Sequence, residues 1–322
     1  MLKLSTALLF AASAIAQQNF DKTEIHVLPV QGNIYMIVGA GGNITAQIGS
    51  QGVLLVDTQF AALSDRILDA VSKLSGKRLR YIVNTNADPD HTDGNENLRK
   101  AGAMVFAGPG AGAINNAAEG AAVYAHINVL KRMSAPTGKR SPTPSGAWPT
   151  DTYAGGVKEL YFNGESIQIM HQPAAHTDGD SMVYFRRSDV ISAGDVFMTT
   201  SFPVIDLERG GSLQGEIEGL NHLLDIMIPE HEQEGGTMVI PGHGRLCDEA
   251  DVVEYRDMVV IVRDRIRAMI KKGMSLEQVR AARPTRDYDR LFTATQGTWT
   301  PDRFVEAAYK SLLQPSARSS TQ

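Results

Sequence analysis

Apolar residues between positions 24 and 57 come in short runs, at 25–28, 34–38, 44–48 and 53–56, separated by Gly39, Gly41, Gly42, Gly49 and Gly52. Brief runs rich in β-branched residues and bounded by turn formers predict a meander of strands. Leu63, Ile67, Leu68, Val71 and Leu74 then recur at helical spacing and Gly76 ends the run, which predicts an amphipathic helix ahead of a strand at 81–83. A second helix is predicted after His91, with Thr92 or Asp93 as its cap, followed by a strand at 103–106. Between 108 and 153 the pattern weakens. Pro136, Pro142, Pro144 and Pro149, with Gly138 and Gly146, predict an irregular loop from about Ala125 to Tyr153. Loops of that length are usually functional or disordered, and Lys139, Arg140 and Trp148 offer cationic and aromatic contacts to a substrate.

A second set of strands is predicted at 158–171, 181–185 and 190–192, then a helix at 213–228 and a final strand at 238–240. Beyond Glu249 the spacing is helical at 252–272, 275–282 and 301–313, the last with Pro301 at its start. Two strand-and-helix halves predict an α/β sandwich of sheets with helices outside. The expected organisation is a leader at 1–16, a main domain at 17–248, and a helical extension at 249–322 packed on that same domain.

The leader stands apart from this pattern. One early charge at Lys3, an apolar run at 8–15 and the ending Ala14-Ile15-Ala16 read as a secretory signal cleaved after Ala16. The run is too short for the roughly 20 residues that span a bilayer. The expected product is periplasmic or secreted and free of the membrane once cleaved. Among 322 residues, 31 Lys and Arg against 36 Asp and Glu give a net charge of −5, so no basic surface invites nucleic acid. A single cysteine, Cys247, excludes a disulfide scaffold.

Four segments put imidazole or carboxylate groups directly after strand-like runs. They are Asn84 to His91, His176 to Asp180, Asp195, and His243. Strand ends converge at one edge of a sheet, so these groups predict a metal cage, and the mixture of imidazole and carboxylate suits Zn, Fe or Mn. Gly194, Gly242 and Gly244 let the backbone turn sharply enough to aim the side chains inward. Asp178 and Asp180 are candidate partners that orient His176, although Asp178-Gly179 is also a plain turn dipeptide. His171 is expected to be packed or exposed, His126 to reach towards substrate, His222 and His231 to lie on the surface, and Cys247 to be a small buried apolar group. Trp299 reads as packing.

The order and spacing resemble the metallo-β-lactamase superfamily, whose pattern is His-x-His-x-Asp-His, then a His, a bridging Asp and a final His. The match is carried by Asn-Thr-x-x-x-x-Asp-His-Thr-x-Gly-Asn from Asn84 and Ala-His-Thr-x-Gly-Asp-Ser from Ala175, and it spans roughly 25–244. The resemblance implies a four-layer αββα sandwich. Asn86 and Asp88 stand where the family has its first two histidines, and Asp90, His91, His176, Asp195 and His243 match. One metal position, of Asp90, His91, His243 and Asp195, is thereby intact. The other would have His176, Asp88, a share of Asp195 and the weak amide of Asn86, and should bind more weakly and favour oxygen-loving metals. An Asn at the first position is similar to the mono-zinc carbapenemase branch. An acid at the second is similar to the di-iron flavoproteins, whose flavodoxin module the residues after Glu249 are too few and too helical to form.

The activity so implied is that of a hydrolase using one or two Zn ions, with Fe or Mn as alternatives, to activate water against a small-molecule ester, lactone, lactam or phosphodiester. Asp90 would orient the nucleophile and pass a proton to the leaving group. The rival readings are a metal-binding accessory protein with a decayed site and an iron-dependent oxidoreductase.

Overall fold

The computed structural model describes residues 20–103, 120–136, 142–232, 235–294 and 299–314. The leader, Lys139, Arg140 and, apart from Ala103, the strand expected at 103–106 lie outside these residues.

Strands β1 (His26–Pro29), β2 (Ile34–Val38), β3 (Ile44–Gly49) and β4 (Gly52–Val56) form the expected antiparallel meander. Helix α1 (Ser64–Leu74) buries Ile67, Ala70 and Val71 and returns the chain to β5 (Leu79–Val83), which runs parallel to β4. Two short helices follow, α2 (Pro89–Thr92) and α3 (Asn95–Ala101). The segment expected as one irregular loop from about Ala125 instead contains the end of β6 (Ala122–His126), then α4 (Ile127–Met133) and β7 (Asp151–Tyr153), and these strands extend the sheet in parallel. Pro136, Pro142, Pro144 and Pro149 all lie outside these strands and this helix, because each lacks the donor that a ladder would need. Among the described residues the sheet has seven strands in the order β1 to β7.

Among the described residues the second sheet has five strands in the order β12-β11-β10-β9-β8, built from β8 (Val157–Phe162), β9 (Glu165–His171), β10 (Ser181–Phe185), β11 (Val190–Met198) and β12 (Met238–His243). Helix α5 (Leu213–Ile226) carries the crossover to parallel β12. Then come α6 (Glu249–Lys271), α7 (Leu276–Ala281), α8 (Asp289–Phe292) and α9 (Pro301–Leu313).

Three apolar clusters define the layers. Met36, Leu54, Val56 and Val83 meet Ile167, Ile169, Val183, Phe185 and Ile240 between the two sheets. Ile37, Leu55 and Ile82 meet Leu63, Ile67, Val71 and Leu98 on the outside of the first. Met182, Tyr184 and Ile191 meet Leu220, Leu223, Met258, Val262 and Phe304 on the outside of the second. Each fully buried side chain of this kind contributes about 1.5–3 kcal/mol. The result is helix, sheet, sheet, helix, the αββα sandwich. The helices after Glu249 join the outer cluster of the second sheet: Phe304 stacks on Phe202 with ring centroids 5.1 Å apart, and the Tyr255 hydroxyl donates to the Ser201 carbonyl at 3.1 Å. Among the described residues no helix is long and apolar enough to cross a membrane.

Candidate metal centre

The ends of β4, β5, β9 and β12 open at one edge of the sandwich, and β11 passes through the same region. Asp57, directly after β4, has φ 65, which breaks the strand and turns its carboxylate inward. The helix expected after His91 instead begins at Pro89, whose fixed φ suits the first helical position. Asp88 is its N-cap residue, so Asp90 and His91 sit in its first turn; Asp93 is the C-cap residue, and the next helix, α3, begins after Gly94 without a side-chain cap. Asp195 lies within β11 and not beyond its end. Gly194, at φ 54, stands where the β11–β12 register shifts, and a Cβ there would come 2.7 Å from Thr85 Cβ. Such a bulge re-aims the next side chain.

Among the described residues two ligand-bearing groups stand side by side: Asp90, His91 and His243, and Asp88, His176 and Asp195. His243 Nε2 is 3.2 Å from Asp90 Oδ2 and 3.5 Å from Asp195 Oδ1. His91 Nε2 is 3.2 Å from Asp195 Oδ2. His176 Nε2 is 3.5 Å from Asp88 Oδ2, and its Nδ1 is 3.8 Å from Asp195 Oδ2. Asp195 thus stands between both groups.

The histidines are oriented from behind. His91 Nδ1 lies 2.7 Å from Asp57 Oδ2, and Asp57 also accepts from the Thr85 backbone N–H (2.8 Å) and hydroxyl (2.6 Å). A carboxylate accepts only, so Nδ1 carries the hydrogen and Nε2 is left to face the acidic cluster. His176 Nδ1 lies 3.2 Å from Asp180 Oδ1, and Thr177 donates its backbone N–H and its hydroxyl to the other oxygen of Asp180. Asp180 is the partner of His176. Asp178 is not: its carboxylate pairs with Arg132 at 2.9 Å, because the turn at 177–180 points it away from the imidazole.

Asn86 contributes its amide nitrogen to this centre. Its Oδ1 accepts the Asp88 backbone N–H at 2.8 Å, so the NH2 group must face Asp195 Oδ2, to which it donates at 3.0 Å. Asp88 is engaged from the other side by Arg209, whose two terminal nitrogens bond its two oxygens. Neither Asp57 nor Arg209 is among the candidate residues of the sequence reading. Asp57 carries one local signal, an acid closing the apolar run at 53–56. Arg209 carries none.

Electrostatics match this arrangement. Burial disfavours a charged His91, but the carboxylates of Asp195, Asp57 and Asp90 outweigh it and hold its pKa well above the usual imidazole value. Burial likewise opposes the charge on His176, yet Asp180, Asp88 and Asp195 raise its pKa to about 10. Burial pushes Asp195 up, and the His91, His243 and His176 imidazoles hold it far below the usual carboxylate range. Burial also raises Asp90, while His91 and His243 bring it below its ordinary value. The cluster demands positive charge, which protons satisfy and a divalent cation satisfies by displacing them. Two buried atoms in it, His91 Nε2 and Asp195 Oδ1, have no hydrogen-bond partner among the described residues, which suits atoms meant for a metal. The open side is formed by Asp90 and His243, with side chains 28% and 29% exposed, whereas His91 is fully buried.

The other singled-out residues pack away from the centre. His126 caps α4 and stacks on His171 with ring centroids 3.6 Å apart, and His171 Nε2 meets the Asp178 carbonyl at 2.9 Å. Trp148 packs with Ala125, Val129, Met133 and Ala147, and its indole donates to the Thr143 carbonyl at 2.7 Å. Cys247 is buried, and Trp299 packs against the cluster outside the second sheet.

Comparison with known proteins places this geometry among relatives. The family model described as the metallo-beta-lactamase superfamily matches residues 27–243. A linear primary-alkylsulfatase of Pseudomonas sp. (strain ATCC 19151) is 21% identical over 258 residues, covering 71% of this chain and 47% of that protein. The chain therefore spans about half the length of that curated relative. The solved stereoselective inverting sec-alkylsulfatase from Pseudomonas sp. superposes with a TM-score of 0.62 at 14% identity, over 90% of this chain and 50% of its own. A metallo-beta-lactamase from Pontibacter korlensis superposes with a TM-score of 0.53 at 12% identity, over 74% and 99%.

Proposed function

The chain belongs to the metallo-beta-lactamase superfamily, and from that premise we propose that it is a metal-dependent hydrolase of small ester substrates, with sulfate esters foremost. One observation carries the reading: the unpartnered Nε2 of His91, its tautomer set by Asp57, faces the carboxylates of Asp195 and Asp90 beside His243. Asp90, His91, His243 and Asp195 are the residues that would hold the metal, and their nitrogen and oxygen donors suit zinc, with iron or manganese as competitors. When bound, such a metal supplies a Lewis acid and lowers the pKa of water towards neutrality.

The chain's own residues do the rest. Asp57 and Asp180 hold the two imidazoles in one tautomer and one direction. Asp90 lies on the open side and is ionised at neutral pH, so it can accept a proton from the attacking water and return it to the leaving oxygen. The preference for sulfate esters draws on the names of the relatives, and on the wider coverage of this chain by the alkylsulfatase structure (90%) than by the lactamase (74%). Export of the chain rests on the leader at 1–16.

The test is turnover by the chelator-stripped chain reloaded with Zn, Fe or Mn, on chromogenic alkyl sulfates, carboxylic esters, lactones, lactams and phosphodiesters. Metal-dependent hydrolysis of a sulfate ester is expected, with Asp90→Asn abolishing it. Stoichiometric metal with no turnover on any of the panel would identify an accessory protein instead.

A further inference from the structure

The second ligand group does not offer what a second metal needs. Of its members, Asn86 turns a donor towards the centre, because its oxygen is taken by the Asp88 backbone. Asp88 has both carboxylate oxygens in the two-pronged grip of Arg209, with Nη2 at 3.2 Å from Oδ2. A paired fork of this kind is among the strongest side-chain hydrogen-bonding arrangements, and guanidinium stays charged at any pH the protein survives. What remains among the described residues is His176 and a share of Asp195, two donors where structural and catalytic sites use three or four from the protein.

Arg209 is also built into the site rather than draped over it. Its Nε donates to Asp206 Oδ2 at 2.7 Å, and its carbonyl accepts from the Asp178 N–H at 2.9 Å. The backbone N–H of Asp206 bonds the carbonyl of His176 at 3.0 Å. Both ends of the arginine are therefore tied to the loop that carries His176, and its side chain is only 20% exposed. Burial works against its charge, but Asp88 and Asp206 outweigh this and raise its pKa above the ordinary value.

We infer that Arg209 stands in for the second metal ion: its guanidinium holds Asp88 out of coordination and supplies the positive charge of that half of the centre, so the chain takes a single metal, at Asp90, His91, His243 and Asp195. This rests on the metal-centre reading above and adds to it the number of ions and the residue that sets that number. It also changes the meaning of Asn86. Restoring a histidine there would not by itself create a second site, because Asp88 would still be held.

The experiment counts bound metal in the full chain, stripped with chelator and titrated with Zn2+ by calorimetry, with elemental analysis after dialysis. The wild type and Asn86→His should each bind one equivalent. Arg209→Met frees Asp88 and should bind two, and Arg209→Met with Asn86→His should bind the second at least tenfold more tightly than Arg209→Met alone. Circular dichroism checks that each variant is folded. If Arg209→Met does not fold, Asp206→Ala removes the side-chain acceptors of the Arg209 Nε and backbone N–H and should yield a weak second binding event. Two equivalents in the wild type, or one in every folded variant, overturns the inference while leaving the metal centre standing. No metal in the wild type overturns the centre itself.

Discussion

Asp57→Asn isolates the role of a buried carboxylate that orients His91 from behind. Asp57 accepts three hydrogen bonds, from the Thr85 N–H, the Thr85 hydroxyl and His91 Nδ1. The substitution keeps size and shape, and asparagine tolerates the left-handed φ of 65 at this position better than almost any other residue. The buried Thr85 N–H needs an acceptor, so the amide oxygen should take the Oδ1 place and leave the NH2 group facing His91. A donor there forces the lone pair onto Nδ1 and the hydrogen onto Nε2. The imidazole then points an N–H at the metal position and cannot ligate.

Loss of an outer partner of a metal-bound histidine typically costs 10- to 100-fold in affinity, about 1.4–2.7 kcal/mol. The full tautomer reversal expected here puts Asp57→Asn at the upper end. The assay is Zn2+ affinity at pH 7 by competition with a chromogenic chelator, alongside nitrogen NMR of the His91 ring to read its tautomer. Asp57→Ala provides the contrast: it removes the acceptor without supplying a donor, so it should bind zinc more tightly than Asp57→Asn while folding less stably. Equal affinity in wild type and Asp57→Asn, or an Nδ1–H tautomer retained in the variant, would refute the reasoning.

Two further expectations follow from packing and from charge. A Cβ at Gly42 would lie 2.4 Å from His91 Cε1 and 2.7 Å from Nε2, and Asp57 leaves the ring nowhere to go, so Gly42→Ala should lower stability by about 1–3 kcal/mol and weaken zinc binding together; calorimetry and thermal melts that match wild type in both respects would contradict this. His126 is held near a pKa of about 4 by burial and by the His171 imidazole, below its unfolded value near 6.5. The unfolded chain binds the extra proton first, so this contribution to stability is present above pH 6.5 and lost as pH falls through 4, by at most roughly 3 kcal/mol before solvent screening reduces it. His126→Asn keeps a capping side chain and should flatten the difference in urea midpoint between pH 7 and 4.5; an unaltered difference counts against it.

The strands that could be read from the chain are those whose apolar runs end in turn residues. Residues 34–38 and 181–185 are strands β2 and β10 in full, since each run is bounded sharply and both its faces are largely covered. Helix α9 likewise follows from Pro301 and its spacing. Strands β6 and β7 escaped because both take their ladder partners from strands remote in sequence, and β7 is in addition only three residues long beside Pro149. A three-residue strand has no period to detect.

The site divides along the same line. Ligand types were legible because each closely follows a strand-like apolar run, although Asp195 and His243 lie within β11 and β12 themselves, and the architecture brings these strand regions to one edge. What each ligand does depends on partners the local pattern does not contain. Asp88 and Asp90 are the same residue type two positions apart, yet the helix beginning at Pro89 leaves one outside its first turn and the other within it. Asp90 accordingly faces His243 at 3.2 Å, while Asp88 meets a guanidinium arriving from 121 residues further along the chain. Asp57 reaches His91 across 34 residues in the same way. Spacing reveals which side chains can gather. Whether a carboxylate in the gathering is free to bind a metal is decided by the long-range contact that neutralises it, and that contact belongs to the fold.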